Sequence, residues 1–320
     1  MRLARMLGRE RVLVLAIAVG CGSQAPHVAK PEPSITVVDV GAEPRRLLRY
    51  ELTPDATERM ELTSKIRMRT AFTNTVLETG QSSADFPTIK NVNLIMVTSL
   101  GADGLASVRS EVENITVLDD VVDPALRART EADVAQLKGS RVSWRMTPSG
   151  RISDVAVEAP NASPSRRNRL SNLADAVRET SVMFPAAAIG IGATWQVTSE
   201  HSSAGVTWNR TATYRLKALT DSSATIDAQF VMRAPSQALS VEPNASTKLT
   251  SGTSNANGEL IVPLRGLVAT GSAQGTSEMN LLIVRGRLRI TSTVQTETLL
   301  SVKPVVATSP NNETPATNEP

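Results

Sequence analysis

Along residues 59–72, apolar and charged side chains alternate. Met60, Leu62, Ile66, Met68 and Phe72 fall on one side of an extended chain, and Arg59, Glu61, Lys65, Arg67 and Arg69 fall on the other. A period of two is the signature of a strand with one face in a core and the other in water. The same alternation recurs at 92–97, 106–117, 142–146, 152–157, 195–198, 206–219, 224–232, 279–290 and 293–302. Polar turns separate several of these runs, at Ala102-Asp103-Gly104, Pro148-Ser149-Gly150 and Asp221-Ser222-Ser223. The pattern predicts a mainly β protein built from antiparallel sheets.

Two stretches switch to helical spacing. Asp123-Pro124 supplies an N-cap and a proline at the first helical position, Leu126, Thr130, Val134 and Leu137 follow on one face, and Gly139 offers a stop. This predicts a helix near 124–138. Ser163-Pro164 opens a second, near 164–181, with Leu170, Leu173, Ala174 and Val177 on one face and Pro185 beyond its end. Both helices are amphipathic and are expected to pack on the sheets. The second carries Arg166, Arg167 and Arg169 at its start. They are read first as a solvated turn; a phosphate contact is the alternative, which the opposition of cationic charge to the helix dipole at that end keeps open.

The chain also repeats itself. Leu100-Gly-Ala-Asp-Gly-Leu-Ala-Ser-Val108 resembles Leu219-Thr-Asp-Ser-Ser-Ala-Thr-Ile226, and Gly150-Arg-Ile152 resembles Gly286-Arg-Leu288, at offsets of 119 and 136 residues. Two similar half-barrel-like repeats are therefore expected, at 46–160 and 161–307, the second including the linking helix.

The N-terminus has a different logic. Arg2, Arg5, Arg9 and Arg11 precede an apolar run from Val12 to Val19, then Gly20 and Cys21. A charged region followed by a short apolar core is a secretory signal, and eight apolar residues are far fewer than the ~20 that span a bilayer. Small residues lead directly to Cys21, the only cysteine in 320 residues. This resembles the lipobox of bacterial lipoproteins, with Ala18 where leucine is usual. The resemblance implies cleavage after residue 20 and acylation of Cys21 by palmitate-type chains, which anchor the chain to a membrane. Residues 21–45 are polar and proline-rich and are expected to form a tether. Residues 308–320 are expected to be disordered. Gly22 stands where enteric bacteria read aspartate as an inner-membrane signal, which favours the outer membrane.

Charge then changes the picture. The full chain carries a net charge of +3, but removing the leader's four arginines and Glu10 from 34 basic and 31 acidic residues leaves 30 of each. A neutral mature chain gives no overall electrostatic case for nucleic acid. Aromatic residues make up only 3% of the chain, which argues against carbohydrate-binding and single-strand nucleic-acid surfaces, since both rely on stacking rings.

Catalytic chemistry finds little support. His27 falls in the tether and His201 in an expected turn, so no histidine pair has metal-ligand spacing, and acylation of Cys21 removes the one thiolate. His201 beside Glu200 and Ser202 is not a triad, because sequence neighbours cannot supply that geometry. Gly190-Ile-Gly192 resembles a phosphate loop but leads into a strand, and reads as a tight turn. Asp119-Asp120 and Glu111 with Glu113 are the carboxylate pairs open to a hydrolase reading, the weakest of those considered. No catalytic, cofactor or metal residue is predicted. Cys21 is the one site residue.

Three further segments carry a family resemblance: Pro185-Ala-Ala-Ala-Ile-Gly-Ile-Gly-Ala-Thr-Trp195, Gly271-Ser-Ala-Gln-Gly-Thr-Ser-Glu-Met-Asn280, and Leu48-Arg-Tyr50 entering the 60–72 strand. Together with the Gly150 and Gly286 turns, they resemble a family of uncharacterised bacterial envelope proteins found in secreted and lipoprotein form, across residues 46–303. More loosely, the plan is similar to the half-barrels of periplasmic lipoprotein carriers, which implies an acyl chain bound between a curved sheet and helices. The expectation is a non-catalytic, membrane-anchored lipoprotein. It would bind an apolar guest such as lipid along strand faces bearing Met60, Met68, Met96 and Met279. The alternative is a structural component that binds an envelope protein partner.

Overall fold

The computed structural model describes residues 32–305, except 76–77, 121–122, 161–176, 178–180, 204 and 243–244. The signal peptide, Cys21, most of the helix expected at 164–181 with its three arginines, and the tail at 308–320 lie outside the described residues.

Among the described residues the first six strands are β1 (Ser34–Asp39), β2 (Thr57–Asn74), β3 (Thr79–Asp85), β4 (Ile89–Leu100), β5 (Ala106–Val117) and β6 (Arg141–Met146). β7 (Ile152–Glu158), β8 (Thr194–Ser203), β9 (Val206–Leu219), β10 (Ser223–Ala234) and β11 (Gln237–Glu242) follow. The last three are β12 (Ala245–Pro263), β13 (Thr270–Arg285) and β14 (Leu288–Pro304). All fourteen join one antiparallel sheet in the order β1-β8-β9-β10-β12-β13-β14-β2-β4-β5-β6-β7, with β11 on β12 and β3 on β2. The halves thus contribute two meanders to a single sheet rather than forming separate sheets. The joint is β14 against β2, paired from Ile290 opposite Asn74 to Pro304 opposite Met60. Strands this long offer so many ladder positions that the two meanders become one surface.

The sheet is open, since β1 and β7 occupy its two ends without pairing to each other. Its ends nevertheless share a core. Ile95 and Val97 of β4, Val108 of β5 and Met146 of β6 pack in the same cluster as Trp195 of β8, Tyr214 of β9 and Ile226 of β10. Two connecting segments fill the space between them, bringing in Leu48, Tyr50, Val182, Phe184 and Ile189. Tyr50 N–H donates to the Pro148 carbonyl at 2.7 Å, and Phe184 N–H to that of Ser149 at 2.8 Å. The Tyr50 hydroxyl reaches the Val182 carbonyl at 3.1 Å. Burial pushes that phenol far above its ordinary value, with the hydrogen bond opposing the effect. A second cluster at the other end of the long strands gathers Met68, Trp208, Leu239, Leu249, Leu281 and Val294.

The expected alternation is clear in β9. Val206, Trp208, Arg210, Ala212, Tyr214 and Leu216 are buried, while Thr207, Asn209, Thr211, Thr213, Arg215 and Lys217 face outward. The helix at 124–138 forms as α1 (Pro124–Ala135), the one α-helix whose span is described. Asp123 caps it, accepting from Ala125 N–H at 3.0 Å and Leu126 N–H at 3.2 Å. Its buried residue is Leu126, and it packs on β5.

Two expectations need correction, and one strand lies outside every run the alternation located. The tether region is not featureless: Ser34–Asp39 pairs with β8 as an edge strand, Ile35 opposite Val197 and Val37 opposite Trp195. The strand expected at 279–290 is interrupted by the β13–β14 hairpin, which turns at Gly286 (φ 59°) between the paired Arg285 and Leu288. The longest described strand, β12, shows no alternation of large apolar residues across its middle, residues 250–258. Its core-facing positions include Gly252, Ser254, Ala256 and Gly258. A Cβ on Gly258 would stand 2.9 Å from Ala273 Cβ, and one on Gly275 the same distance from Ala256 Cβ. Neighbouring strands approach too closely there for large side chains, so the sequence carries small ones.

Candidate functional site

Side chains fill two clusters on the apolar face, and two hollows open on the polar face. Two adjoining hollows of about 540 and 790 Å³ share Gln229, Asn257, Gln274 and Leu299. Residues directly opposite in an antiparallel ladder point to the same face, so the register fixes what lines the floor. Gln196 stands opposite Thr213, Thr213 opposite Gln229, Gln229 opposite Asn257, and Asn257 opposite Gln274. Gln274 is in turn opposite Leu299, and Leu299 opposite Lys65. One row of side chains therefore crosses seven strands at right angles to them.

The middle of this row is uncharged and unengaged. Gln196 Nε2 donates to Thr213 Oγ1 at 3.4 Å. Gln229, Asn257 and Gln274 are exposed, and among the described residues their carboxamides have no protein hydrogen-bond partner. Leu299 beside them is 54% exposed.

Charged residues flank the row as compensated pairs. On one side Lys217 Nζ lies 3.3 Å from Asp227 and 2.5 Å from Glu259, and these partners hold its ammonium above the usual lysine value. On the other, Arg67 lies 2.6 Å from Asp85 and 3.4 Å from Glu297. The floor is thus an uncharged amide strip between charged borders, and the linings as a whole set Lys65, Arg67 and Arg215 against Asp227, Glu259 and Glu297.

The residues considered for catalysis are spread out and engaged elsewhere. Glu111 accepts from Arg141 Nε at 2.8 Å, and Glu113 from Arg59 Nε at 2.8 Å. Asp120 accepts from the Thr88 hydroxyl at 2.6 Å, the Thr88 N–H at 2.9 Å and Lys65 Nζ at 3.0 Å. Led by the Thr88 hydroxyl, these donors lower its pKa to about 2. A carboxylate held so low is a poor general base near neutral pH. Asp119 pairs with Arg127 at 2.5 Å. His201 sits within β8 opposite Trp208, not in a turn.

Gly190-Ile-Gly192 is the tight turn its sequence suggested. Gly190 N–H donates to the Val40 carbonyl at 2.9 Å, and a Cβ on Gly190 would lie 1.7 Å from the Ala42 oxygen. The glycine serves a backbone crossing. Among the described residues no group of three or more His, Cys, Asp or Glu side chains could hold a metal ion, and no helix is long and apolar enough to cross a membrane.

Of the methionines expected to line an apolar surface, Met68 is in the second cluster with Met279 packed against it, and Met60 packs on the first. Met96 stands opposite Thr57 and Arg109, apart from the buried Ile95 and Val97. The amide row was not anticipated. Its signal was the string Ser254-Asn-Ala-Asn-Gly258, in which polar and small residues alternate, together with Gln274 and Gln229.

No protein-family model matches the chain, and neither does any curated protein. Among solved structures, the chain has a TM-score of 0.18 and 9% identity to the "CymD monoaromatic hydrocarbon channel", covering 76% of this chain and 88% of that one. A mutant of the Rh. blastica porin gives a TM-score of 0.17 and 9% identity, covering 76% of this chain and all of the porin.

Proposed function

We propose that this protein is a membrane-anchored, non-catalytic lipoprotein of the bacterial envelope, favouring the outer membrane, that works by binding on the polar face of its sheet. The observation that carries the reading is the pair of hollows on the polar face. Side chains close the apolar interior at both ends of the sheet, whereas the hollows open over Gln229, Asn257 and Gln274. The polar face bears Arg59, Glu61, Lys65, Arg67 and Arg69 along β2, unlike the apolar belt by which a transmembrane barrel meets lipid. Attachment then falls to Cys21, with a short tether before β1 setting the sheet close to the bilayer.

A second reading, an apolar guest such as a lipid, has one observation in its favour. Ile66 and Leu300 remain 36% and 39% exposed although they share the core-facing side of their strands. Two measurements test the reading. Radiolabelled palmitate should enter the wild-type chain and not Cys21→Ser, which should leave the membrane fraction. Native mass spectrometry of the purified protein should show no adduct beyond the anchor. A stoichiometric lipid, released on denaturation, would overturn surface binding in favour of a carrier.

A further inference from the structure

We propose that the amide row on the polar face is a binding site for a neutral linear glycan, an assignment that rests on the surface-binding reading above. Gln229, Asn257 and Gln274 repeat once per strand, with Gln196 and Thr213 continuing the row on one side. Adjacent strands are about 4.8 Å apart, so the five positions span roughly 19 Å at a spacing close to the length of one sugar ring in an extended chain. Each carboxamide offers two donors and an acceptor, the combination that a pair of neighbouring hydroxyls can satisfy. Among the described residues the three central carboxamides have no protein partner to give up.

Charge argues for a neutral ligand. The linings of the two hollows carry three cations, Lys65, Arg67 and Arg215, and three carboxylates, Asp227, Glu259 and Glu297, so together they offer no net charge to an ionic guest. An extended peptide suits the row less well. Its residues repeat every ~3.4 Å, and peptides recognised by sheets pair along an edge strand instead of lying across the face. A folded protein partner would be expected to use buried aromatic anchors, and no ring lines the hollows. Leu299, exposed at the end of the row, supplies the apolar platform on which the C–H face of a sugar ring can rest. Without aromatic stacking, the site binds weakly and draws its strength from several rings bound at once.

The test is calorimetric titration of the detergent-solubilised full-length mature protein with cellotetraose and with the β-1,4-linked tetramer of N-acetylglucosamine. Pentaalanine serves as the comparison, and ligand-observed NMR covers the millimolar range. At least one tetrasaccharide should bind, its disaccharide should bind at least tenfold more weakly, and Asn257→Ala with Gln274→Ala should reduce affinity at least tenfold at unchanged melting temperature. Asn114→Ala, on the first meander, should leave it unaltered. Binding of neither tetrasaccharide, or binding that survives the double substitution, overturns the glycan site. If pentaalanine alone binds and the double substitution weakens it, the surface-binding reading survives and the glycan assignment falls. A co-purified lipid would instead remove the surface-binding reading itself.

Discussion

Trp195 is where the closure of the open sheet can be tested. Its ring is fully buried, with centroids 6.3 Å from Phe184 and 5.4 Å from Tyr214. The chain of rings continues to Tyr50 on one side and Phe230 on the other. Its indole N–H also donates to the Met183 carbonyl at 2.8 Å, tying the 181–189 segment to β8. Trp195→Ala removes the largest buried side chain and leaves a cavity, for which about 3–5 kcal/mol is expected. Trp195→Phe keeps most of the apolar contact but orphans a buried carbonyl, for about 1–3 kcal/mol. Against a typical stability of roughly 5–15 kcal/mol, both losses are measurable by urea unfolding. Far-UV circular dichroism is the probe, since fluorescence changes with the mutation itself. Limited proteolysis should also cut the 181–193 segment sooner in Trp195→Ala. If Trp195→Ala cost less than about 1 kcal/mol, the ring would not be bridging the two ends, and the shared core would have to be held by something else.

Leu249, fully buried in the second cluster, should cost about 2–5 kcal/mol when truncated to alanine; urea unfolding measures it, and an unchanged midpoint would contradict the packing. Gly190→Ala sets a methyl 1.7 Å from the Ala42 oxygen, so it should lower the melting temperature and expose the 38–47 segment to protease. Asp120 has a folded pKa lowered to about 2 by Thr88 and Lys65, below the ~3.9 of an unfolded aspartate. Its contribution is therefore present above pH ~4 and lost as pH falls towards 2, and is about 1–2 kcal/mol once discounted for partial exposure. Melting curves of Asp120→Asn and wild type should differ at pH 7 and converge near pH 2; a constant offset would refute the linkage.

How much of this was legible in the sequence depended on which residues filled each face. Where the core side holds large side chains, as at Met60 to Phe72 or Val206 to Leu216, the period of two located the strand within a residue or two. The cap at Asp123 placed α1 for the same local reason. β12 was invisible because close approach of its neighbours leaves only glycine, alanine and serine on its core side between 252 and 258, which erases over the middle of the strand the contrast that periodicity needs. β1 was hidden by the prolines before it: Ile35 and Val37 alternate with Ser34 and Thr36 over too few residues to signal a strand, and pairing with Val197 and Trp195 stabilises it. The pairing of β14 with β2 joins residues more than two hundred positions apart, and no local rule signals it.

The same strands that defeated the sequence reading form the candidate site, and the two facts share a cause. Small residues on the core side let β12 and β13 approach and bend, with Gly271 at φ 144° in the second. Their other side, with nothing to bury, is left to polar side chains, and the ladder register aligns these from strand to strand. An amide row of this kind needs no catalytic spacing or motif. It needs several strands in one register, each with an unoccupied polar residue at the same level. Such a site can be seen only once pairing is known, because Gln229, Asn257 and Gln274 come from three strands whose alignment no stretch of the chain specifies alone.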